Sequence, residues 1–238
     1  MSVHLYVQLA RMKRASYRLA YRGGDSVTDI ALDAGYEAPE AFARAFRQRV
    51  GQSPSDFRKA PDWEPWQAAF GPYSQARTYL MTETFDAGDV RIVETMDVPV
   101  ARITHRGDPA LIGDTIRRFI AWRKAAGLRP PGSATYNIFW SVPDDAEYRL
   151  DICAGTGRRI ATNDVGVEAA TIPGGRCAVL RVIGSSDDRS LPANWLYREW
   201  LPDSGEEPRD FPLYCQRISF FPDVPEHEAV TDLYLPLR

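Results

Sequence analysis

Cysteine is scarce in this sequence: among 238 residues only Cys153, Cys177 and Cys215 carry a thiol. They are odd in number, widely spaced and contain no C-x-x-C pair, which argues against a disulfide framework. With no histidine cluster beside them they also argue against a structural zinc site. Small buried apolar positions are the reading that remains. Long apolar runs are missing too. None reaches the length of a membrane span, and the start of the chain lacks a signal-peptide pattern, so no membrane partner is expected and a cytoplasmic location is. Catalytic groupings are equally absent. His4, His105 and His227 stand alone, and no nucleophile–base–orienter set is legible. Gly155-Thr156-Gly157 is too short for a dinucleotide loop, Asp187-Asp188 reads as a solvated loop, and Gly174-Gly175 after Pro173 reads as a turn. No cofactor is implied, and a role other than catalysis is expected.

What charge there is lies unevenly. The formal net charge is -3, yet residues 1–60 carry +4 and residues 61–238 carry -7. A basic front and an acidic rear suggest that only the front meets phosphate. The length suits two modest domains, each with its own core.

The most informative stretch runs from Ser26 to Phe57. Ser26 with Asp29 fits a capping box that opens a helix, and Val27, Ile30, Ala31 and Ala34 form one apolar face. Gly35 fits a left-handed stop. Pro39 suits the first turn of a second helix, in which Phe42, Ala45, Phe46 and Val50 share one face. Glu40, Arg44, Arg47 and Gln48 fall on the opposite face, and Gly51 ends the helix. Ser53-Pro54-Ser55-Asp56 opens another. The outward face has what a major-groove helix needs, since Arg can grip guanine with two bonds and Glu can accept from cytosine. An ordinary amphipathic helix with a solvated charged face has the same spacing.

The segment from about Leu5 to Lys59 resembles the C-terminal part of an AraC/XylS-type DNA-binding domain. The motifs that carry the resemblance are LARMKRASYRLAY, IALDAGYE and AFARAFRQRVGQSPSDFR. It implies double-stranded DNA as partner and places Glu40, Ala41 and Arg44 at base-contacting positions. Ala38 stands where the family has a capping Ser, and Pro39 where a polar groove-facing residue is common. The family carries two helix-turn-helix units flanking a linker helix, and this sequence opens near the end of the first. Weak DNA binding by a monomer is therefore expected, with a homodimer as one means of compensation.

Residues 61–89 break the pattern with Pro61, Pro65, Gly71 and Pro72, among which sit Trp63, Trp66, Phe70 and Tyr73. So many aromatics suit a connecting strap packed on a domain better than a free linker. From Val90 the chain repeats itself at a spacing near 75–80 residues. VRIVETMDVPVARITHRGD and VGVEAATIPGGRCAVLRVIGS both read as strand, turn and strand. A helix follows each, then a closing hairpin with a matching acid, Asp151 and Asp232. The expected fold class is α+β: an all-α helix-turn-helix part over residues 1–60, then a duplicated β-α-β-β antiparallel-sheet domain over residues 90–238. A groove between pseudo-symmetric halves is a natural ligand site.

This second segment resembles a GyrI-like effector-binding domain, through WLYREWLPDSGEEPRDFPLY and the closing TDLYLPL. Together the two halves are similar in architecture to Rob-type regulators. The resemblance implies a central groove for lipophilic, often cationic, small molecules. In effector-binding members a Glu follows a Pro-x-aromatic element; here Pro212-Leu213-Tyr214 is followed by Cys215. A thiol supplies no fixed negative charge, so a neutral aromatic or aliphatic effector is expected unless Glu168 or Glu199 substitutes. Tyr136, Trp140, Trp195 and Tyr214 complete the ligand-contact candidates, with Trp140 and Trp195 preferred.

Three readings follow. The first is a bacterial AraC-type regulator whose DNA binding is controlled by an effector in the groove. The second is a ligand-binding or gyrase-interacting module without effective DNA binding. The third is a small hydrolase using the groove, which predicts a polar, acid-containing cleft.

Overall fold

A computed structural model of the chain describes residues 2–80, 84–141, 147–185 and 190–238. It divides into two compact units, Met1–Glu83 with Phe221–Pro225, and Thr84–Phe220 with Glu226–Arg238. The Pro-Asp turn expected at 143–145 and the Asp187-Asp188 pair lie outside the described residues.

The first unit is helical: α1 (Val3–Tyr21), α2 (Val27–Asp33), α3 (Pro39–Val50) and α4 (Pro54–Lys59). Individual residues set its boundaries. Ser26 Oγ accepts the Asp29 amide at 2.9 Å and Ser53 Oγ accepts the Asp56 amide at 3.1 Å, so each hydroxyl satisfies an orphan N–H at a helix start. Gly35 and Gly51 stop α2 and α3 with φ of 85° and 83°, a left-handed backbone that glycine adopts without penalty. Ala38 has the extended backbone of a cap but no side-chain hydrogen bond, and Pro39 starts α3. Phe42, Phe46 and Val50 are fully buried, and ring contacts run on from Phe46 through Phe57 to Trp63. In the same unit Arg22 grips the Asp223 carboxylate with two nitrogens, each at 2.7 Å.

The expected strap is mostly helix. α5 runs Trp63–Leu80, and its Trp63, Trp66, Phe70 and Tyr73 recur at helical spacing and are all buried. Trp66 Nε1 donates to Ser16 Oγ of α1 at 2.7 Å. The prolines that disguise this helix are both tolerated. Pro65 stands in the first turn, where its missing N–H has no partner to lose, and Pro72 gives up one bond to the Ala68 carbonyl. Helix α5 belongs to the first unit, and residues 84–89 to the second.

The second unit contains β1 (Val90–Thr95), β2 (Val98–Arg106), α6 (Ile112–Ala125), β3 (Thr135–Phe139) and β4 (Arg149–Gly155), then β5 (Glu168–Ile172) and β6 (Gly175–Ile183). A helical run follows: α7 (Ser190–Trp195), a π-helical turn (Leu196–Trp200) and α8 (Leu201–Ser204). It closes with β7 (Tyr214–Arg217) and β8 (Val230–Pro236). All eight strands form one curved antiparallel sheet in the order β1-β6-β8-β7-β3-β4-β2-β5. That order reads the same from either end when the two copies are exchanged. The duplicated α+β domain expected from the repeat is therefore present, with one addition. The leading strand of each copy does not form a hairpin with the next strand; β1 pairs with β6 and β5 with β2, so each copy donates an edge strand to the other. Gly174-Gly175 after Pro173, read from sequence as a turn, lies at the crossing between β5 and β6, with Gly175 already in β6, and closes no hairpin.

Strand alternation sorts the side chains into two faces. One face is covered by helices in two separate patches. α6 packs Phe119 onto Ile103, Leu150 and Ile152, while Leu196, Trp195 and Trp200 pack onto Leu180, Cys215 and Leu233. The helix-free face holds a single cluster fed by both copies, including Val100, Ile138, Cys153, Ile172, Cys177, Val179 and Tyr214.

Candidate functional site

In the first unit, α2, the Gly35 turn and α3 make a helix-turn-helix. Because Phe42, Phe46 and Val50 face inward, the register of α3 turns Glu40, Ala41, Arg44, Arg47 and Gln48 outward, and all five are exposed. Among the described residues Arg44 and Arg47 make no hydrogen bond or ion pair, so their guanidinium groups remain available to an external anion. These outward positions place two uncommitted arginines and the Glu40 carboxylate on one face of a helix that starts at Pro39 and stops at Gly51.

In the second unit the six ligand-contact candidates fall on opposite faces of the sheet. Tyr136, Trp140, Glu168 and Tyr214 belong to the helix-free side, and Cys215 and Trp195 to the helix-covered side. Tyr214 and Cys215 are neighbours on β7, so alternation alone forbids their pointing the same way.

The helix-free side carries a polar network centred on Asp151. Asp151 is fully buried and accepts from Thr104 Oγ1 at 2.6 Å, from Trp140 Nε1 at 2.7 Å and from Arg102 at 3.3 Å. The Arg149 guanidinium stacks 4.1 Å from the Trp140 ring. Glu168 is occupied by Arg102, at 2.7 Å and 2.9 Å. Burial alone would lower the Arg102 pKa, but the Glu168 hydrogen bond and the charges of Asp151 and Glu168 outweigh it and raise it. Tyr214 stacks on Tyr234 with ring centroids 4.7 Å apart. Burial pushes the Tyr214 phenol well above its ordinary range, and the neighbouring Cys177 adds to the effect. Burial, with the Asp151 charge second, does the same to the Cys153 thiol.

On the helix-covered side the central feature is a residue that sequence reasoning missed. Asn137 on β3 lies directly opposite Cys215 on β7. Tyr136 faces Gln216 as Tyr214 faces Ile138, and the Phe139 amide donates to the Leu213 carbonyl at 3.0 Å. A pseudo-twofold axis therefore passes through the Asn137–Cys215 pair, making Tyr136 the counterpart of Tyr214. Asp151 pairs with Ile138 and Asp232 with Gln216, so the two aspartates are counterparts as well. Asn137 is only 6% exposed and Cys215 is fully buried, with the thiol 4.0 Å from Asn137 Oδ1. Phe139 packs against both helix-capped patches and bridges them. Among the described residues this floor, where the two halves of the sheet meet, presents an amide, a thiol and an aromatic ring and no carboxylate. Glu199 lies exposed on the π-helical turn and Glu168 is held on the opposite face. The signal available in the sequence was an asparagine between Tyr136 and Ile138, a polar residue inside an otherwise buried strand.

His105 is buried and bonded, to Thr115 Oγ1 at 2.9 Å and to the Asp108 carbonyl at 3.0 Å. Among the described residues no group of three His, Cys, Asp or Glu is arranged to hold a metal ion. Also among the described residues, no helix is long and apolar enough to cross a membrane.

Comparison with known proteins places both units. Residues 88–238 match the GyrI-like small molecule binding domain, and residues 1–60 match a helix-turn-helix domain. The probable transcriptional regulator YgiV of Escherichia coli (strain K12) is 37% identical over 153 residues, covering 63% of this chain and 96% of that protein. Two solved structures share the fold. The crystal structure of the EcmrR C-terminal domain has a TM-score of 0.50 at 13% identity, over 63% of this chain and 96% of that one. The cryo-EM structure of an EcmrR–DNA complex has a TM-score of 0.53 at 11% identity, over 90% of this chain and 78% of that one.

Proposed function

From residue 88 to its C-terminal end this chain belongs to the GyrI-like small molecule binding family, and from that premise we propose that it is a DNA-binding transcription regulator controlled by a small, neutral, lipophilic effector. The observation that carries the DNA half is the outward face of α3, where Arg44 and Arg47 stand exposed and uncommitted among the described residues. The name of the relative YgiV, a probable transcriptional regulator, supports the same reading. The AraC/XylS-type and Rob-like assignments are part of the proposal and rest on the spacing of the capped helices and the order of the two units.

The effector half rests on the Asn137–Cys215 floor. An amide on the pseudo-twofold axis can donate to or accept from a ligand, and Phe139 and Trp195 offer apolar contact. With no carboxylate there among the described residues, a buried cation would go uncompensated, which favours a neutral guest. The π-helical turn at Leu196–Trp200 lies beside this floor, and π turns gather at functional sites. The unit is read as a binding module, not a catalyst. A cytoplasmic setting and a homodimer on two half-sites complete the reading.

Mechanistically, the effector must bind more tightly to one of two states that differ in DNA affinity. The test is a fluorescence-anisotropy titration of duplex DNA from the upstream region of the protein's own gene, at low salt, with and without neutral aromatics that raise the melting temperature. DNA affinity that falls with salt and shifts with ligand is expected. No binding at 50 mM salt, or binding indifferent to every stabilising ligand, would overturn the proposal.

A further inference from the structure

The helical unit carries a cleft that the DNA-binding reading leaves unused. It is an open cleft of about 660 Å³ between α1, α3 and α5, a size suited to a small molecule. Leu9 and Met12 of α1, both buried, line it together with the small side chains Ala45 of α3 and Ala68 and Ala69 of α5. Gln8, Tyr36, Gln48 and Arg49 are its polar lining. Burial raises the Tyr36 phenol, and the Arg49 charge opposes that rise. Among the described residues Arg49 makes no hydrogen bond or ion pair.

We propose that this cleft binds a small amphipathic carboxylate, of the short fatty acid or single-ring aromatic acid class. Its carboxylate lies on Arg49 and its apolar body on Leu9 and Met12. A guanidinium fork matches a carboxylate with two charge-assisted bonds and repels a cation. The apolar floor rewards a hydrocarbon body that water would otherwise surround. The site is independent of the effector floor in the sheet domain. It borders Gln48, which shares α3 with the DNA-facing arginines, so ligand and DNA affinities are linked reciprocally.

The experiment uses the full chain and octanoate as probe. Isothermal titration calorimetry compares octanoate with octanol, and a diazirine-bearing octanoate is photolysed on the protein and its adducts mapped by peptide mass spectrometry. Adducts on the peptides holding Leu9–Met12 or Ala69 are expected, with octanol binding about tenfold more weakly than octanoate. Arg49→Gln should erase that advantage. Ala69→Leu, which fills the cleft, should abolish octanoate binding, and Arg49→Gln at its exposed position carries the test should that filling disturb α5. Absence of octanoate binding, adducts confined to residues 84–238, or an octanoate advantage that survives Arg49→Gln would each overturn the proposal.

Discussion

The Gly174 amide donates to the Asp97 carboxylate at 2.7 Å across 77 residues of sequence. The two residues sit in the two crossings, β1 to β2 and β5 to β6, at which the copies of the repeat exchange their edge strands. Arg209 braces the same point by donating to the carbonyls of Pro173 and Gly174.

Nothing larger than glycine fits at 174. A Cβ there would lie 2.6 Å from backbone atoms of Thr95, Met96 and Asp97. Gly174→Ala is expected to destabilise the protein by about 2–3 kcal/mol, since backbone gives way less readily than a side chain. Asp97→Ala loses one hydrogen bond and should cost about 1 kcal/mol. Urea unfolding followed by tryptophan fluorescence measures both, and equal, negligible effects would refute the pinned crossing.

An alkaline loss of stability should follow from Cys153 and Tyr214. Both hold their protons in the folded state at pH values where the unfolded chain has lost them. Their contribution is complete below the unfolded thiol value and declines as pH rises above it. Melting temperature should fall above about pH 9, as the unfolding free energy drops by up to ~1.4 kcal/mol per pH unit for each group. Cys153→Ala should remove the thiol's share, and an unchanged profile in that variant would contradict the assignment.

Ala38→Ser should stabilise the helix-turn-helix. The backbone at Ala38 already has φ of -138° and ψ of 137°, the conformation of a capping residue, but no oxygen to accept a helix amide. A gain of about 1 kcal/mol in urea unfolding is expected. A loss would mean that the hydroxyl cannot reach.

The caps around Ala38 were the most legible part of the sequence, because Ser26, Gly35, Gly51 and Ser53 each act within a few residues of chain. The duplication was legible for the same local reason, through repeated alternation and the matched Asp151 and Asp232. Helix α5 was hidden, since Pro65, Gly71 and Pro72 outweigh four well-spaced aromatics in any local reading. The exchange of β1 and β5 was not readable at all: a strand shows the same alternation whichever neighbour it pairs with. Asn137 was overlooked because one polar residue in a strand has no signature until its partner across the axis is known.

On DNA, Arg44 and Arg47 should separate by chemistry. Arg44→Ala is expected to weaken binding to a preferred site by ~1–3 kcal/mol and to relax discrimination at one base pair. Arg47→Ala should weaken all sequences alike and reduce the salt slope by about 1. Anisotropy titrations across a salt series, on matched and scrambled duplexes, distinguish the two. Identical profiles would remove the division of labour.

Asn137→Asp keeps the size of the floor residue and adds the charge that the floor lacks. Affinity for neutral aromatics should drop, and a cationic aromatic of similar shape should gain about tenfold relative to them. Thermal-shift titration with such a matched pair reads the ratio directly. An unaltered ratio would place the effector elsewhere.

Because each copy of the repeat lends its first strand to the other, half of this domain is not a smaller version of the whole. A polypeptide carrying one copy would expose a strand without a mate and an edge without a cover, and the contacts that satisfy both already exist in a second identical molecule. Such a fragment should therefore assemble as an interlocked dimer, with the fused chain preserving in covalent form a partnership that separate subunits can make on their own.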